Sequence, residues 1–401
     1  MKVALLTGGS DRPYAIGLLE ALLEKGLSVD IVGSDEFLGA GILGDSRVRF
    51  LNLRGDTNPS VPRLEKVERT VSYYLSLAQF AATTEAKVFH VLWANRFWFV
   101  DRVAMSAVYK ALGKRLVFTA HNVNERKRDG KDSAYNRFTL RLLYRLMDHI
   151  FVHTAQMKEQ LIQEFAVREE KVSVIPFGIN NAFPRTDVTG LDARKKLGIQ
   201  QEEGVLLFFG RIAPYKGLEY AVDALRQLQG GNRRYRLLIA GRIEQGCGDY
   251  WSNVQEKISA WGLSGQVTSR IDYIPDEEVE LYFKAGDVLV LPYKAIFQSG
   301  LLFLTYSFGL PVIATDIGSF RDDIVEGVTG FVCAPEEPAA LAARVLEYFE
   351  SDLYKNLQDK RPDIIAWGNA KYSWQDVADI SCKVYAALPS RKASGRIGVD
   401  S

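Results

Sequence analysis

Residues 205–218 read Val205-Leu206-Leu207-Phe208-Phe209-Gly210-Arg211-Ile212-Ala213-Pro214-Tyr215-Lys216-Gly217-Leu218. An apolar run of strand type ends in a glycine, Arg211 and Lys216 follow, and a helical pattern begins near Leu218. Strand, tight turn and helix in that order open a parallel βαβ unit. An Arg/Lys pair at the mouth of such a sheet suits an anionic phosphate. A solvated surface loop would carry the same two cations, so the rest of the chain has to decide between them.

The alternation extends in both directions. Upstream, Val3–Leu6, Ser28–Val32, Lys87–Leu92, Arg115–Thr119 and Asp148–Val152 predict strands, with helical patterns over Tyr14–Glu24, Val100–Leu112 and Ala134–Met147. Residues 171–179 close this half with a strand and a Pro/Gly break. Downstream, Val205–Phe209, Arg236–Ala240, Val267–Ile271, Val288–Leu291 and Val312–Thr315 predict strands with helices between them. Short apolar strands alternating with helices imply parallel sheets covered on both faces. The expected architecture is α/β, with two open α/β domains facing each other across a cleft. They are residues 1–182 and 183–370, joined through the polar run Asn180–Leu191. A helix within 371–388 is expected to cross back to the first domain, and the tail 389–401 to be disordered.

The 401 residues suffice for two domains with separate cores. The 50 basic and 49 acidic residues nearly cancel, so no global field draws the protein to nucleic acid, and none is expected as a partner. Cys247, Cys333 and Cys382 lie far apart and fit a reducing compartment better than a disulfide framework. Neither they nor His90, His121, His149 and His153 show metal-ligand spacing. The N-terminal apolar run is too short for a signal peptide, and no uninterrupted apolar segment approaches the roughly 20 residues that span a bilayer. The expected location is cytoplasmic, with peripheral contact at an inner membrane face as an option.

Further strand ends carry punctuation in a fixed order. Ile239-Ala240-Gly241-Arg242 is followed by Asp272-Tyr273-Ile274-Pro275-Asp276-Glu277-Glu278 and Ala285-Gly286-Asp287-Val288. The longest runs from Leu291-Pro292-Tyr293-Lys294-Ala295-Ile296-Phe297-Gln298-Ser299-Gly300-Leu301 into Phe308-Gly309-Leu310-Pro311-Val312 and on to Ser319. With this set, the chain resembles the family 4 glycosyltransferases of the GT-B fold over nearly its whole length. Gly210–Lys216 and Pro292–Gly318 are the most specific parts, with Val174–Gly178 in support. The resemblance implies two Rossmann-like domains and a nucleotide-sugar donor, UDP- or GDP-linked, held mainly by the second. It also implies hexosyl transfer with retention of configuration, no cofactor and no required metal, in agreement with the absence of an Asp-x-Asp triplet. The acceptor would be a saccharide or lipid-linked, as in cell-surface polysaccharide or glycolipid synthesis.

Sugar transfer from a nucleoside diphosphate needs the departing diphosphate stabilised as its charge grows. Arginine forks onto two oxygens and lysine supplies a point charge, so Arg211 and Lys216 take that role, beside Gly210. Gln298-Ser299-Gly300-Leu301 precedes a helical run, whose first N–H groups would face phosphate oxygens, with Ser299 adding a hydroxyl. Gly8-Gly9 after the first strand forms a turn toward the diphosphate without the full dinucleotide fingerprint. The resemblance adds Ile274 to the donor-binding set and gives His121 a catalytic place near the donor sugar and acceptor. One departure stands out. The family carries a pair of glutamates, one for the donor sugar and one for the ribose, where this chain has Ile296 and Leu304. Gln298 and neighbouring backbone are expected to replace them, as in a Gln-Ser-Gly variant. A sugar-nucleotide epimerase on the same fold, or a non-catalytic scaffold in a glycan-assembly complex, remains open.

Arg126, Lys127, Arg128, Lys131, Arg137, Arg141 and Arg145 surround one helical pattern, the last three on a shared face beside Tyr135, Phe138 and Tyr144. Such a face suits an anionic membrane surface or a lipid-diphosphate acceptor, and equally a plain solvated helix. Arg96-Phe97-Trp98-Phe99 reads as core packing.

Overall fold

The computed structural model describes residues 1–8, 11–56, 62–94, 97–128 and 130–388; Gly9, Arg96 and the tail 389–401 lie outside them. The chain forms two compact units: Met1–Gly178 with the segment from Trp374 onward, and Ile179–Ser373.

Unit 1 is built on a parallel sheet of seven strands: β1 (Lys2–Leu6), β2 (Ser28–Gly33), β3 (Val48–Asn52), β4 (Val88–Val91), β5 (Arg115–Thr119), β6 (His149–Val152) and β7 (Val172–Val174). The order is β3-β2-β1-β4-β5-β6-β7, with Val3 opposite both Val29 and Val88. The chain winds outward from β1 to β3 and then returns to the other side of β1. The crevice between β1 and β4 is therefore the switch point, where open α/β sheets bind ligands. Helix Arg12–Glu24 lays Leu18, Leu19 and Leu22 over Val3, Leu5, Val29 and Ile31. The last helix, Trp374–Ala387, adds Val377, Ala378 and Tyr385 to that core. Its first residue demands two glycines: a Cβ on Gly17 would lie 2.3 Å from the Trp374 ring, and one on Gly178 would lie 2.4 Å from it.

Unit 2 repeats the plan with six parallel strands: β8 (Gly204–Phe209), β9 (Tyr235–Ala240), β10 (Val267–Arg270), β11 (Val288–Leu291), β12 (Val312–Thr315) and β13 (Gly330–Cys333). Their order, β10-β9-β8-β11-β12-β13, places the switch point between β8 and β11.

Several local expectations are corrected. The polar run through Pro184 is not a loose linker throughout. The Glu280 carboxylate accepts from the Thr186 N–H at 2.8 Å and from its hydroxyl at 2.7 Å, while the Lys284 ammonium donates to the Val188 carbonyl at 2.7 Å. Helix Gly190–Lys196 then begins inside the run, capped by Thr189. Phe97 and Phe99 are about half exposed instead of core residues. Trp98 stacks on Tyr135, with the guanidinium groups of Arg102 and Arg126 over its ring. Tyr144 is buried, its hydroxyl donating to the Val123 carbonyl at 2.6 Å, and offers nothing to a surface.

Candidate functional site

The two most specific sequence segments meet at the switch point of unit 2. After β8, Gly210 turns the chain at φ 94° while its N–H donates to the Ala240 carbonyl at 2.8 Å. Gly217 has φ 66°, and a Cβ there would fall 1.9 Å from the Pro292 carbonyl oxygen. The Lys294 N–H donates to the Tyr215 carbonyl at 2.8 Å. The turn after β8 is thus locked onto the segment leaving β11, and only glycine permits that approach.

Within this turn the two cations differ. Lys216 is buried, with its ammonium 3.2 Å from the place a Gly210 Cβ would occupy and 5.4 Å from the Tyr293 ring centroid. Its charge is folded back over the turn, away from solvent. The Arg211 side chain is 59% exposed, with one guanidinium nitrogen 3.8 Å from Glu244 Oε1. The other oxygen of that carboxylate, Glu244 Oε2, is buried and has no hydrogen-bond partner among the described residues. Nothing in the local sequence marked Glu244; an isolated bridge between Ile212 and Ile243 brings it there.

The segment leaving β11 is fixed at three points. The Thr315 hydroxyl donates to the Tyr293 carbonyl at 2.6 Å, and the Ser319 N–H donates to the Phe297 carbonyl at 2.9 Å. Gly318, at φ 56°, packs on the carbonyls of Ile296 and Phe297 too closely for a Cβ. Gln298 Oε1 is buried without a partner among the described residues, so an acceptor waits there for a donor. Ser299 is buried at the N-cap of helix Gly300–Ser307 and makes no side-chain capping bond. Gly300 and Leu301 occupy the first turn, where N–H groups lack helical partners. Leu304 is buried and Ile296 half-buried, so neither position supplies a carboxylate. Ile274 lies just beyond β10 at the edge of the sheet, two strands from β8, and is buried.

In unit 1, Gly8 follows β1 at φ 62°, and a Cβ on it would lie 2.5 Å from the Trp93 carbonyl oxygen beyond β4. The Arg54 guanidinium donates to the Gly8 carbonyl. His121 follows β5. Its ring is stacked on Trp93 with centroids 4.1 Å apart and planes 2° from parallel, and Tyr14 meets it edge-on at 4.6 Å. His121 Nδ1 lies 3.0 Å from His153 Nε2, and His121 Nε2 is buried with no partner among the described residues. Burial, reinforced by His153 and His90, holds its pKa well below the ordinary histidine value. His90 differs: both ring nitrogens are satisfied, by the Tyr385 hydroxyl at 2.6 Å and the Thr119 hydroxyl at 2.7 Å. Gly8 and His121 therefore both lie against Trp93. Gly210, Lys216 and the segment leading to Gln298 gather separately in unit 2. Tyr14, Trp93 and His153 carry no local sequence mark, because each comes from a different element.

The basic helix is Ala134–Leu146. Asp132 holds Arg137 at 2.6 Å, and Glu164 holds Lys127 at 2.5 Å. Arg141 and Arg145 line a groove of about 510 Å³ with Arg168 and Lys171, and Tyr135 and Phe138 are both 53% exposed. No helix among the described residues is long and apolar enough to cross a membrane. Among them, no group of three or more His, Cys, Asp or Glu side chains is placed to hold a metal ion.

Comparison with known proteins agrees with this layout. Residues 12–183 match the model of Glycosyltransferase Family 4, and residues 191–363 that of Glycosyl transferases group 1. A D-inositol 3-phosphate glycosyltransferase of Streptomyces coelicolor is 28% identical over 258 residues, which is 60% of this chain and 55% of that protein. The chain spans little more than half the length of the first such relatives (57%, 55% and 54%). Among solved structures, sucrose-phosphate synthase from Thermosynechococcus elongatus has a TM-score of 0.73 at 19% identity, covering 97% of this chain and 99% of that one. Anabaena HepE in complex with UDP-glucose has a TM-score of 0.73 at 17% identity, covering 97% and 100%. At such identities the likeness is one of fold. Taken with two family models that meet near the start of unit 2, it establishes that the chain belongs to the glycosyltransferases of the GT-B fold.

Proposed function

We propose that the protein transfers a sugar from a nucleoside diphosphate sugar to a hydroxyl of a saccharide or lipid-linked acceptor, with retention and without a metal, in cell-surface polysaccharide or glycolipid synthesis. The observation that carries this reading is the buried Lys216 ammonium at the switch point of the second sheet, beside the segment that leads to Gln298. Lys216, Arg211, Ser299 and the first N–H groups of helix Gly300–Ser307 stabilise the leaving diphosphate, with Gly210 allowing close approach. Gln298 takes part of the sugar recognition that Ile296 and Leu304 do not supply. Ile274 completes the nucleotide contacts. The acceptor oxygen bonds to the anomeric carbon as the bond to the phosphate oxygen breaks. The acceptor's proton passes to that phosphate oxygen, and His121 orients a substrate hydroxyl. That HepE was solved with UDP-glucose makes UDP-sugars the first donors to try.

Calorimetry and product analysis with UDP- and GDP-sugars test the proposal on the intact chain. Transfer that requires both donor and acceptor, and that collapses when Arg211 and Lys216 are both replaced by Ala, supports it. Three results overturn it: transfer surviving the double replacement, conversion of donor to an epimer without acceptor, and no binding of any nucleoside diphosphate, which favours a scaffold.

We further propose that Arg137, Arg141 and Arg145 with the exposed Tyr135 and Phe138 form a face toward anionic membrane, a peripheral attachment on the cytoplasmic side. Co-sedimentation should favour vesicles containing phosphatidylglycerol over neutral ones. Replacing the three arginines by Gln should abolish that preference; equal binding to both vesicle types would sink the idea.

A further inference from the structure

His153 has no part in the scheme above, yet it is the polar neighbour of the histidine that has one. Its ring is buried beyond the end of β6, with Nδ1 3.4 Å from the Ile175 carbonyl oxygen and Nε2 3.0 Å from His121 Nδ1. A carbonyl oxygen only accepts, so His153 Nδ1 must carry a proton. Burial lowers the pKa of His153 to about 4, so at neutral pH the ring holds one proton, and that proton is on Nδ1. Its Nε2 is then a bare acceptor, and the atom facing it, His121 Nδ1, must be the donor. His121 is also neutral, which leaves its Nε2 without a proton.

We infer that His153 is a positioning residue that fixes the tautomer of His121, so that His121 Nε2 meets the substrate as a hydrogen-bond acceptor. The inference rests on the proposed transfer reading only for the identity of the substrate. The relay itself follows from one carbonyl and two imidazoles. Its chemical consequence is selective: a bare imidazole nitrogen accepts from a sugar or acceptor hydroxyl and repels a phosphate oxygen. The stack on Trp93 and the edge of Tyr14 hold the ring plane, so the acceptor has a fixed direction. Nε2 is buried without a partner among the described residues, which is the condition an incoming hydroxyl would relieve.

The test is long-range proton–nitrogen NMR on the full chain labelled with ¹⁵N-histidine, with each signal assigned by substitution. In the wild type, His121 should show a protonated Nδ1 and a bare Nε2. His153→Phe removes the acceptor and should let the Nε2–H form of His121 appear. His153→Gln returns an amide oxygen and should keep the wild-type tautomer. In transfer assays kcat/KM should fall roughly tenfold in His153→Phe, the loss of about one hydrogen bond, and largely recover in His153→Gln. A wild-type spectrum with the His121 proton on Nε2 overturns the relay, as does an unchanged tautomer in His153→Phe. Once its signals are assigned, the wild-type spectrum needs no active enzyme. Absence of transfer would therefore count against the proposed reaction, while the spectrum alone decides the relay.

Discussion

Lys216 and Arg211 leave the same turn but work in different dielectric surroundings. Lys216 is buried beside Tyr293, while Arg211 is mostly exposed and shares its charge with Glu244. A charge acting on a growing negative charge counts for more where water is excluded. Lys216→Ala is therefore expected to lower kcat by about 10²–10³-fold, as for loss of one oriented donor. Arg211→Ala should cost nearer tenfold, in line with a screened surface charge. Steady-state transfer kinetics at two salt concentrations would check this; an Arg211 effect equal to that of Lys216 would refute the asymmetry. Both cations were legible in the sequence because a strand, a glycine and a cation lie within a few positions of each other. Gln298 was legible for the same reason. His153, Trp93 and Glu244 were not, since each reaches its site through strand pairing or packing that joins distant segments.

Strands that read as runs of Val, Leu and Phe were the easiest to read, whereas β13, Gly330-Phe331-Val332-Cys333, is equally buried and went unread. β8 and β11 are continuous apolar runs, the mark of a parallel strand covered on both faces. β3 went unread because it is an edge strand, Val48-Arg49-Phe50-Leu51-Asn52, with no fully buried position. Helix Arg63–Thr83 also went unread, because Leu64, Val67, Val71 and Leu75 are exposed on it and its apolar pattern does not mark a core face. The last helix was legible as a helix over Trp374–Ala387. The reason it is held to unit 1 was not, because it depends on Gly17 and Gly178 leaving room for Trp374. That contact has a sign test. Gly17 lies inside helix Arg12–Glu24, where Ala would ordinarily add about 1 kcal/mol of helix stability. With the Trp374 ring 2.3 Å from the new methyl group, Gly17→Ala should instead destabilise by about 1–3 kcal/mol. Denaturant unfolding would show the loss, and a Gly17→Ala, Trp374→Ala double variant should recover the helix gain. A stabilised single variant would mean that Trp374 is not held there.

For the molecule as a whole, titration divides the two units more sharply than composition does. All four histidines of the chain, His90, His121, His149 and His153, belong to unit 1. Burial lowers His90 to about 3, His149 and His153 to about 4, and His121 well below the ordinary value. A histidine depressed on folding contributes stability that is fully present above its unfolded pKa, about 6.5. That stability drains away as the pH falls from there toward the folded value, because the unfolded chain takes up protons the folded one refuses. Each such group removes at most about 1.4 kcal/mol per pH unit over that interval. Unit 2 has no histidine, and its depressed carboxylates, Asp192, Glu203 and Glu280, begin to matter only near and below the unfolded carboxylate values of about 4. Between pH 6.5 and 5, acid should therefore weaken unit 1 while leaving unit 2 nearly unchanged. Native-state hydrogen exchange resolved by region, at pH 7 and pH 5 with rates corrected for intrinsic chemistry, reads this directly. Protection should fall in β4, β5 and β6 and hold in β8, β9 and β11; a parallel decline in both sets would show that these histidines are not neutral and buried in the folded chain.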